Sequence, residues 1–227
     1  MAGQMIEFQS NGGTTRGYLS TPDGGTGPGV VVIQEWWGLV PHIRDVCDRF
    51  AREGFVALAP DLYHGETARS PDEAGKLMMA LNIEQAEKDL RGAVQYLLNH
   101  ESVAGESVGT IGFCMGGVLS LFAASKNAQV GACVVFYGIH PKVEPDFENL
   151  RAPVLGLYAE RDGMVPPEAV RALEERVRRH GKSIETHIYP GTDHAFFNDT
   201  RPEVYDAEAA EDAWRRTLAF FRQHLGG

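Results

Sequence analysis

The sequence predicts an α/β fold with a mostly parallel central sheet and helices on both faces. Short apolar runs rich in β-branched residues alternate with segments of helical periodicity, and glycine and proline separate them. Strands covered on both faces are continuously apolar, as Val30–Ile33 is. The chain has 227 residues, a usual size for one α/β domain, so we expect residues 1–227 to form a single domain.

The first half of the chain opens with a predicted β-hairpin, Met5–Phe8 and Thr14–Leu19, joined across Asn11-Gly12-Gly13. The pattern then predicts strand, helix, strand, helix and helix: Gly29–Gln34, Pro41 to about Gly54, Phe55–Ala59, Asp72–Met79 and Glu84–Asn99. In the first of these helices, Ile43 and Val46 begin an apolar face with helical spacing.

The second half continues the alternation of strands and helices. After a strand at Ser107–Ile111 and an apolar helix, the remaining predicted elements are strand, strand, helix, strand and helix: Ala132–Tyr137, Val154–Tyr158, Pro167–His180, Ile184–Tyr189 and Glu203–His224. Ligands of parallel sheets bind beyond the carboxyl ends of the strands. The residues that directly follow each strand are therefore the candidates for function.

The segment Gly112–Gly117, GFCMGG, joins the strand at Ser107–Ile111 to the apolar run Val118–Ala124. A strand, a sharp turn flanked by glycine and a helix form the nucleophile elbow of hydrolases. Cys114 occupies the position of the nucleophile, and a thiolate is a strong nucleophile.

Two further residues complete a candidate triad. Asp162 follows the strand at Val154–Tyr158, and His194 follows the strand at Ile184–Tyr189. The order nucleophile, acid, histidine is that of the α/β-hydrolase fold, in which histidine moves the proton and the acid fixes the imidazole tautomer. Asp193 is a rival acid, but neighbours in sequence rarely face each other, which favours Asp162.

The loop after the strand at Gly29–Gln34 carries Glu35. This loop and the residue after the nucleophile normally supply the two oxyanion-hole amides, which we assign to Trp36 and Met115. A carboxylate near Cys114 can accept the thiol proton, but it can also raise the pKa of the thiol by repelling the thiolate.

These residues carry a resemblance to the dienelactone hydrolases, or carboxymethylenebutenolidases, over nearly the whole chain. The matching segments are Glu35 with Trp37-Gly38, Ile43–Asp45, Pro60–Tyr63, Gly112-x-Cys114-x-Gly116-Gly117, Asp162 and Gly191-x-x-His194-x-Phe196. The resemblance implies a Cys114–His194–Asp162 triad, with Glu35 activating the thiol. It also implies lactone opening through a thioester, without a metal or organic cofactor.

The chain departs from the family where those enzymes hold a substrate carboxylate with two arginines. At the first position stands Pro71, with Arg69 nearby, and at the second stands Asn198, with Arg201 displaced. We therefore expect a broad, largely aromatic pocket that suits neutral or aromatic esters. The residues expected to line it are Trp37, Tyr63, Phe196, Phe197 and Asn198.

Composition limits the other possibilities. The net charge of −10 argues against nucleic acid and anionic membranes as partners, and the expected partner is a small lactone or ester. No signal-peptide pattern is present, and three cysteines without a CxxC pair favour a reducing compartment, so we expect a cytoplasmic protein. We also expect the protein to be monomeric or a small homo-oligomer and to hold no metal.

Three alternatives remain open at this point. Phosphotriester cleavage would use the same nucleophile as a side activity. A thiol redox or sensing role would need a resolving thiol, but Cys47 and Cys133 are predicted to be inert core residues. A binding module would not need a complete triad. The other histidines are expected to be structural or solvated, and His64 and His140, which sit at strand ends, are the two candidates for lining the pocket.

Overall fold

A computed structural model describes residues 3–10 and 12–226. Eight strands form one sheet: β1 Gln4–Ser10, β2 Gly13–Ser20, β3 Gly29–Ile33, β4 Val56–Pro60, β5 Val108–Phe113, β6 Val130–Phe136, β7 Val154–Ala159 and β8 Ile184–Tyr189. Six helices accompany it: α1 Pro41–Arg52, α2 Pro71–Ala80, α3 Ile83–Leu98, α4 Met115–Lys126, α5 Pro167–Arg179 and α6 Ala207–Leu225.

The strands lie in the order β1-β2-β4-β3-β5-β6-β7-β8. The pairs β1–β2 and β2–β4 are antiparallel, and every other pair is parallel. The predicted mostly parallel sheet and the opening hairpin are therefore confirmed. Residue Asn11 of the predicted hairpin turn lies outside the described residues, while Ser10 pairs directly with Gly13.

The core consists of two layers, one on each face of the sheet. Helices α3, α4 and α5 contribute to one layer, in which Leu90, Leu119 and Val170 are buried. Helices α1 and α6 contribute to the other layer, with Phe50 and Phe221. Residues of the central strands β3, β4 and β5 are buried throughout, because helices cover them on both sides.

The largest error in the predicted boundaries concerns the last helix, which begins at Ala207 instead of Glu203. The carboxylate of Asp206 accepts a hydrogen bond from the Ala209 N–H at 3.0 Å and so caps the helix. Near its end, Leu225 packs against Gly109 and Gly131, at the amino ends of β5 and β6. No described helix is long and apolar enough to cross a membrane.

Candidate active site

Cys114 stands on the sharp turn between β5 and α4. Its backbone angles, φ 53° and ψ −119°, fall in a region that residues with a side chain rarely adopt. Its N–H donates to the carbonyl of Phe136 at 3.0 Å, and its carbonyl accepts from the N–H groups of Gly117 and Ile139. These bonds hold the strained turn in place.

Glycine is required around this turn because backbones approach closely. A Cβ atom on Gly112 would stand 1.9 Å from the carbonyl oxygen of Gly116. A Cβ on Gly116 would stand 2.4 Å from the carbonyl oxygens of Ile33 and Gln34. The start of α4 therefore lies against the end of β3, where the Glu35 loop begins.

Asp162 and His194 form a direct contact across the loops after β7 and β8. His194 Nδ1 lies 2.6 Å from Asp162 Oδ2. The other oxygen, Oδ1, accepts hydrogen bonds from the N–H groups of Met164 and Val165 at 2.8 and 3.0 Å. Burial by itself would raise the pKa of Asp162, but these hydrogen bonds outweigh it, so the pKa is lowered. The carboxylate is therefore a fixed negative charge beside the imidazole.

The surroundings of His194 favour its protonated form. Burial opposes its charged form, but hydrogen bonding to Asp162 and the adjacent Cys114 sulfur outweigh burial and raise the pKa of His194 to about 10. Its Nε2 atom is buried and has no hydrogen-bond partner of standard geometry among the described residues. The raised pKa favours the protonated imidazole, so a proton released by Cys114 is held on His194.

Glu35 is 1 % exposed and lies near the start of the loop after β3. Its Oε2 accepts a hydrogen bond from Asn198 Nδ2 at 2.8 Å, whereas Oε1 has no partner among the described residues. Thr200 fixes the orientation of that amide, because its N–H and Oγ1 both donate to Asn198 Oδ1, at 3.1 and 2.6 Å. Asn198, expected in the substrate pocket, instead holds Glu35.

Tyr137 is a site residue that the sequence analysis missed. It directly follows β6, is fully buried, and its ring centroid lies 4.9 Å from that of His194. Burial, followed by the charges of Glu35 and Cys114, raises the pKa of Tyr137. Its hydroxyl has no partner among the described residues. It was missed because the predicted strand, Ala132–Tyr137, included Tyr137 as its last residue, whereas β6 ends at Phe136.

The two predicted oxyanion donors belong to the adjoining segments at the elbow. Met115 is the first residue of α4, so its N–H has no acceptor within the helix. Trp36 follows Glu35 in the loop that begins where Gly116 touches the end of β3. The two assigned amides therefore come from segments in contact with each other.

A cavity of about 600 Å³ opens above Cys114. Trp37 lines it together with Trp36, as the sequence analysis predicts for Trp37, and the two rings meet edge to face at 5.3 Å. Further lining residues come from α2 and from the loops after β6, β7 and β8: Met78, Ile139, His140, Pro141, Arg161, Gly163, Met164, Asp193, Ala195, Arg201, Glu203 and Val204.

Three aromatic residues expected in this pocket do not line it. Phe196 and Phe197 are 0 % and 1 % exposed, and Phe197 stacks on Phe113 at 5.3 Å. Ala195, with φ of 66°, reverses the chain before them and lets both rings enter the core, where aromatic area is best buried. Tyr63 is also buried, and its hydroxyl donates to Met115 Sδ at 3.3 Å.

The structure distinguishes the two candidate acids and shows where the candidate arginines lie. Asp193, the rival acid, lies 3.1 Å from Arg161, whereas Asp162 contacts the histidine. Arg201 lines the cavity and lies over the Trp37 ring, with its guanidinium carbon 5.9 Å from the ring centroid. Arg69 is exposed and outside the cavity lining. Neither Pro71 nor Asn198, the two positions where the resemblance would place an arginine, lines the cavity.

The remaining cysteines and histidines lie elsewhere, with one exception. Cys47 and Cys133 are buried in the core, and burial raises the pKa of both, that of Cys133 to about 11. His140 lines the cavity, whereas His64 lies 3.2 Å from Asp89 in another part of the molecule. Residues 3–10 and 12–226 contain no group of three or more His, Cys, Asp or Glu side chains arranged to hold a metal ion.

Comparison with known proteins gives the family. The sequence profile of the dienelactone hydrolase family matches residues 15–225. A protein of Aquifex aeolicus, provisionally named carboxymethylenebutenolidase, is 36 % identical over 230 residues, which cover 98 % of this chain and 99 % of that protein.

Solved structures agree with this match. A Klebsiella pneumoniae crystal structure, provisionally named dienelactone hydrolase, is 32 % identical with a TM-score of 0.87, covering 99 % of this chain and all of that one. A metagenomic protein described as a dienelactone hydrolase-like promiscuous phosphotriesterase, P91, has a TM-score of 0.88 at 24 % identity, covering 99 % and 98 %. The predicted α/β-hydrolase fold is confirmed, and the chain belongs to the dienelactone hydrolase family, whose members are hydrolases acting on carboxylic esters.

Proposed function

We propose that this protein is a cysteine hydrolase that opens lactones or cleaves small esters through a thioester on Cys114. The observation that carries the proposal is the line of groups from Asp162 through His194 to Cys114 at the base of one cavity. In this proposal Cys114 is the nucleophile, His194 is the base, and Asp162 orients the base.

In acylation, the Cys114 sulfur attacks the carbonyl carbon and its proton passes to His194 Nε2. The N–H groups of Trp36 and Met115 stabilise the oxyanion. When the tetrahedral intermediate collapses, the C–O bond to the leaving group breaks and His194 returns the proton to the departing oxygen. In a lactone that oxygen stays attached to the acyl chain.

In deacylation, a water molecule attacks the thioester carbon and gives its proton to His194. The C–S bond breaks, the carboxylic acid is released, and the thiol is restored with the proton from the imidazolium. Asp162 keeps the imidazole in the same tautomer throughout, because its Oδ2 accepts a hydrogen bond from Nδ1–H.

Glu35 is the second base in this proposal. Its Oε1 atom is buried without a partner among the described residues, and its charge acts on the same Tyr137 as that of Cys114. In this role Glu35 takes the thiol proton before attack and passes it to His194 Nε2, so that the same proton reaches the departing oxygen. Glu35 would then act in acylation alone.

The alternatives have less support. Phosphotriester cleavage by the same thiol stays a proposed side activity, since the likeness to P91 at 24 % identity extends only to the fold. A redox role lacks a reachable resolving thiol, because Cys47 and Cys133 are buried in the core. We expect the enzyme to work in a reducing compartment, the cytoplasm, where Cys114 stays a thiol.

The test is hydrolysis of p-nitrophenyl acetate by the wild type, by Cys114→Ala and by Cys47→Ala. The wild type and Cys47→Ala, which loses a buried thiol away from the cavity, should turn over, and Cys114→Ala should lose at least about 10³-fold in kcat. Mass spectrometry of the quenched wild type should place one acetyl group on Cys114. Equal rates for the wild type and Cys114→Ala would end the proposal.

A further inference from the structure

The charged side chains that line the cavity are mostly paired with one another. Of the described residues that line it, Arg161 and Arg201 carry the permanent positive charges. Each is paired with a carboxylate that also lines the cavity: Arg161 Nη2 with Asp193 Oδ2 at 3.1 Å, and Arg201 Nε with Glu203 Oε1 at 2.9 Å. Neither guanidinium is therefore an uncompensated cation.

The remaining charges shift the balance toward negative. Glu35 and Asp162 add two buried carboxylates to the lining, and His194 adds one positive charge when it holds a proton. A substrate carboxylate in this cavity would face at least as many negative as positive groups. It would also approach a chain of net charge −10, which disfavours the encounter of anions.

Arg201 contacts the Trp37 ring as well as Glu203. Its guanidinium lies over the Trp37 ring and is bonded to Glu203, so its charge is shared between an aromatic face and a carboxylate. The neighbouring lining is apolar, with Trp36, Met78, Ile139 and Val204. Such a surface recognises an uncharged group by burying its apolar area.

We propose that Asp193 and Glu203 are specificity-determining residues, which compensate Arg161 and Arg201 and thereby restrict the site to uncharged esters or lactones. This inference rests on the proposed hydrolase function. The two pairs lie at the rim, with half-exposed to exposed side chains, so they contribute little to folding stability. Variants that remove either carboxylate should therefore fold.

The experiment compares two substrates of equal chain length, p-nitrophenyl valerate and mono-p-nitrophenyl glutarate, which differ by a terminal carboxylate. The wild type should have a kcat/KM at least about 10-fold higher for the valerate, as electrostatic discrimination predicts. Asp193→Asn and Glu203→Gln should each raise the glutarate-to-valerate ratio of kcat/KM about 3- to 10-fold. High salt should reduce the discrimination.

The matched control is Glu7→Gln. Glu7 pairs with Arg16 at 3.2 Å on the exposed hairpin, outside the cavity, so this variant removes the same charge from a similar pair. Its substrate ratio should equal that of the wild type. A change as large as in Glu203→Gln would mean that net charge, rather than the cavity pairs, sets the ratio, and would overturn the inference.

Two sets of outcomes distinguish a failure of the specificity role from a failure of the proposed hydrolase function. If the wild type hydrolyses both esters with similar kcat/KM, or if neither carboxylate variant shifts the ratio, the specificity role is wrong although the hydrolase stands. If neither ester is hydrolysed, or Cys114→Ala hydrolyses them as fast as the wild type, the proposed function fails first.

Discussion

Two buried carboxylates flank the candidate nucleophile, and they are held very differently. Asp162, in the loop after β7, has both oxygens engaged: one with His194, the other with two backbone N–H groups. Glu35, in the loop after β3, has one oxygen bonded to the neutral amide of Asn198 and the other without a partner among the described residues.

From this difference we infer that the two carboxylates have different roles in the reaction. A carboxylate that is fully hydrogen-bonded stays charged and rigid, which suits a group that orients an imidazole. A carboxylate with an unused oxygen can exchange a proton with an incoming or neighbouring group, which suits a base. The same amide substitution at each position, Asp to Asn and Glu to Gln, therefore tests whether the two carboxylates really differ in role.

Asp162→Asn should have the largest effect, because it removes the carboxylate that orients His194. The new amide would face His194 Nδ1 with a donor or stabilise the other tautomer, so Nε2 would no longer act as a base. We expect kcat to fall by about 10³- to 10⁴-fold, in both acylation and deacylation. Single-turnover measurements on a variant whose circular dichroism matches the wild type would check this. A loss of 10-fold or less would show that another group orients His194.

Glu35→Gln should have an intermediate effect, because Glu35 is proposed to act in acylation alone. If Glu35 takes the thiol proton, acylation should slow by about 10²-fold, while deacylation, which depends on His194, keeps its rate. The burst phase with p-nitrophenyl acetate separates the two steps. Equal slowing of both steps would make Glu35 a structural residue, and an unchanged burst would make it a bystander.

Asn198→Leu should have the smallest effect on activity, because it acts through Glu35. Loss of the amide donor leaves the Glu35 carboxylate unsatisfied and should destabilise the fold by about 1–3 kcal/mol in urea unfolding. Acylation should slow less than 10-fold, again without an effect on deacylation. In the double variant with Glu35→Gln, the Asn198 substitution should add little to the acylation defect. Additive defects would show that Asn198 acts independently of Glu35.

Much of this arrangement was predictable because topology determines it. The carboxyl ends of parallel strands share one sheet edge, so a cysteine, an aspartate and a histidine that each follow a strand must meet there. Close backbone packing at the elbow requires glycines around Cys114, and these are visible in the sequence. The elements and the Asp162–His194 contact followed from these two signals.

The errors concern the directions in which side chains point. Phe196 and Phe197 enter the core because Ala195 adopts a positive φ, which its own identity does not reveal. Tyr137 was overlooked because the predicted strand included it, whereas β6 ends at Phe136, and Tyr137 too has a positive φ, of 38°. The pairing of Arg161 with Asp193 depends on two loops 32 residues apart in sequence. Periodicity carries no information about such contacts.

The position of α6 has a practical consequence. Its end, at Leu225, packs against the amino ends of β5 and β6, whereas the cavity opens beyond their carboxyl ends. Strands of six or seven residues place about 20 Å of sheet between these two edges. A solid support coupled to the exposed Glu106, beside Gly105, would therefore present the cavity to the flowing solution, and an immobilised catalyst oriented in this way should keep its substrate access.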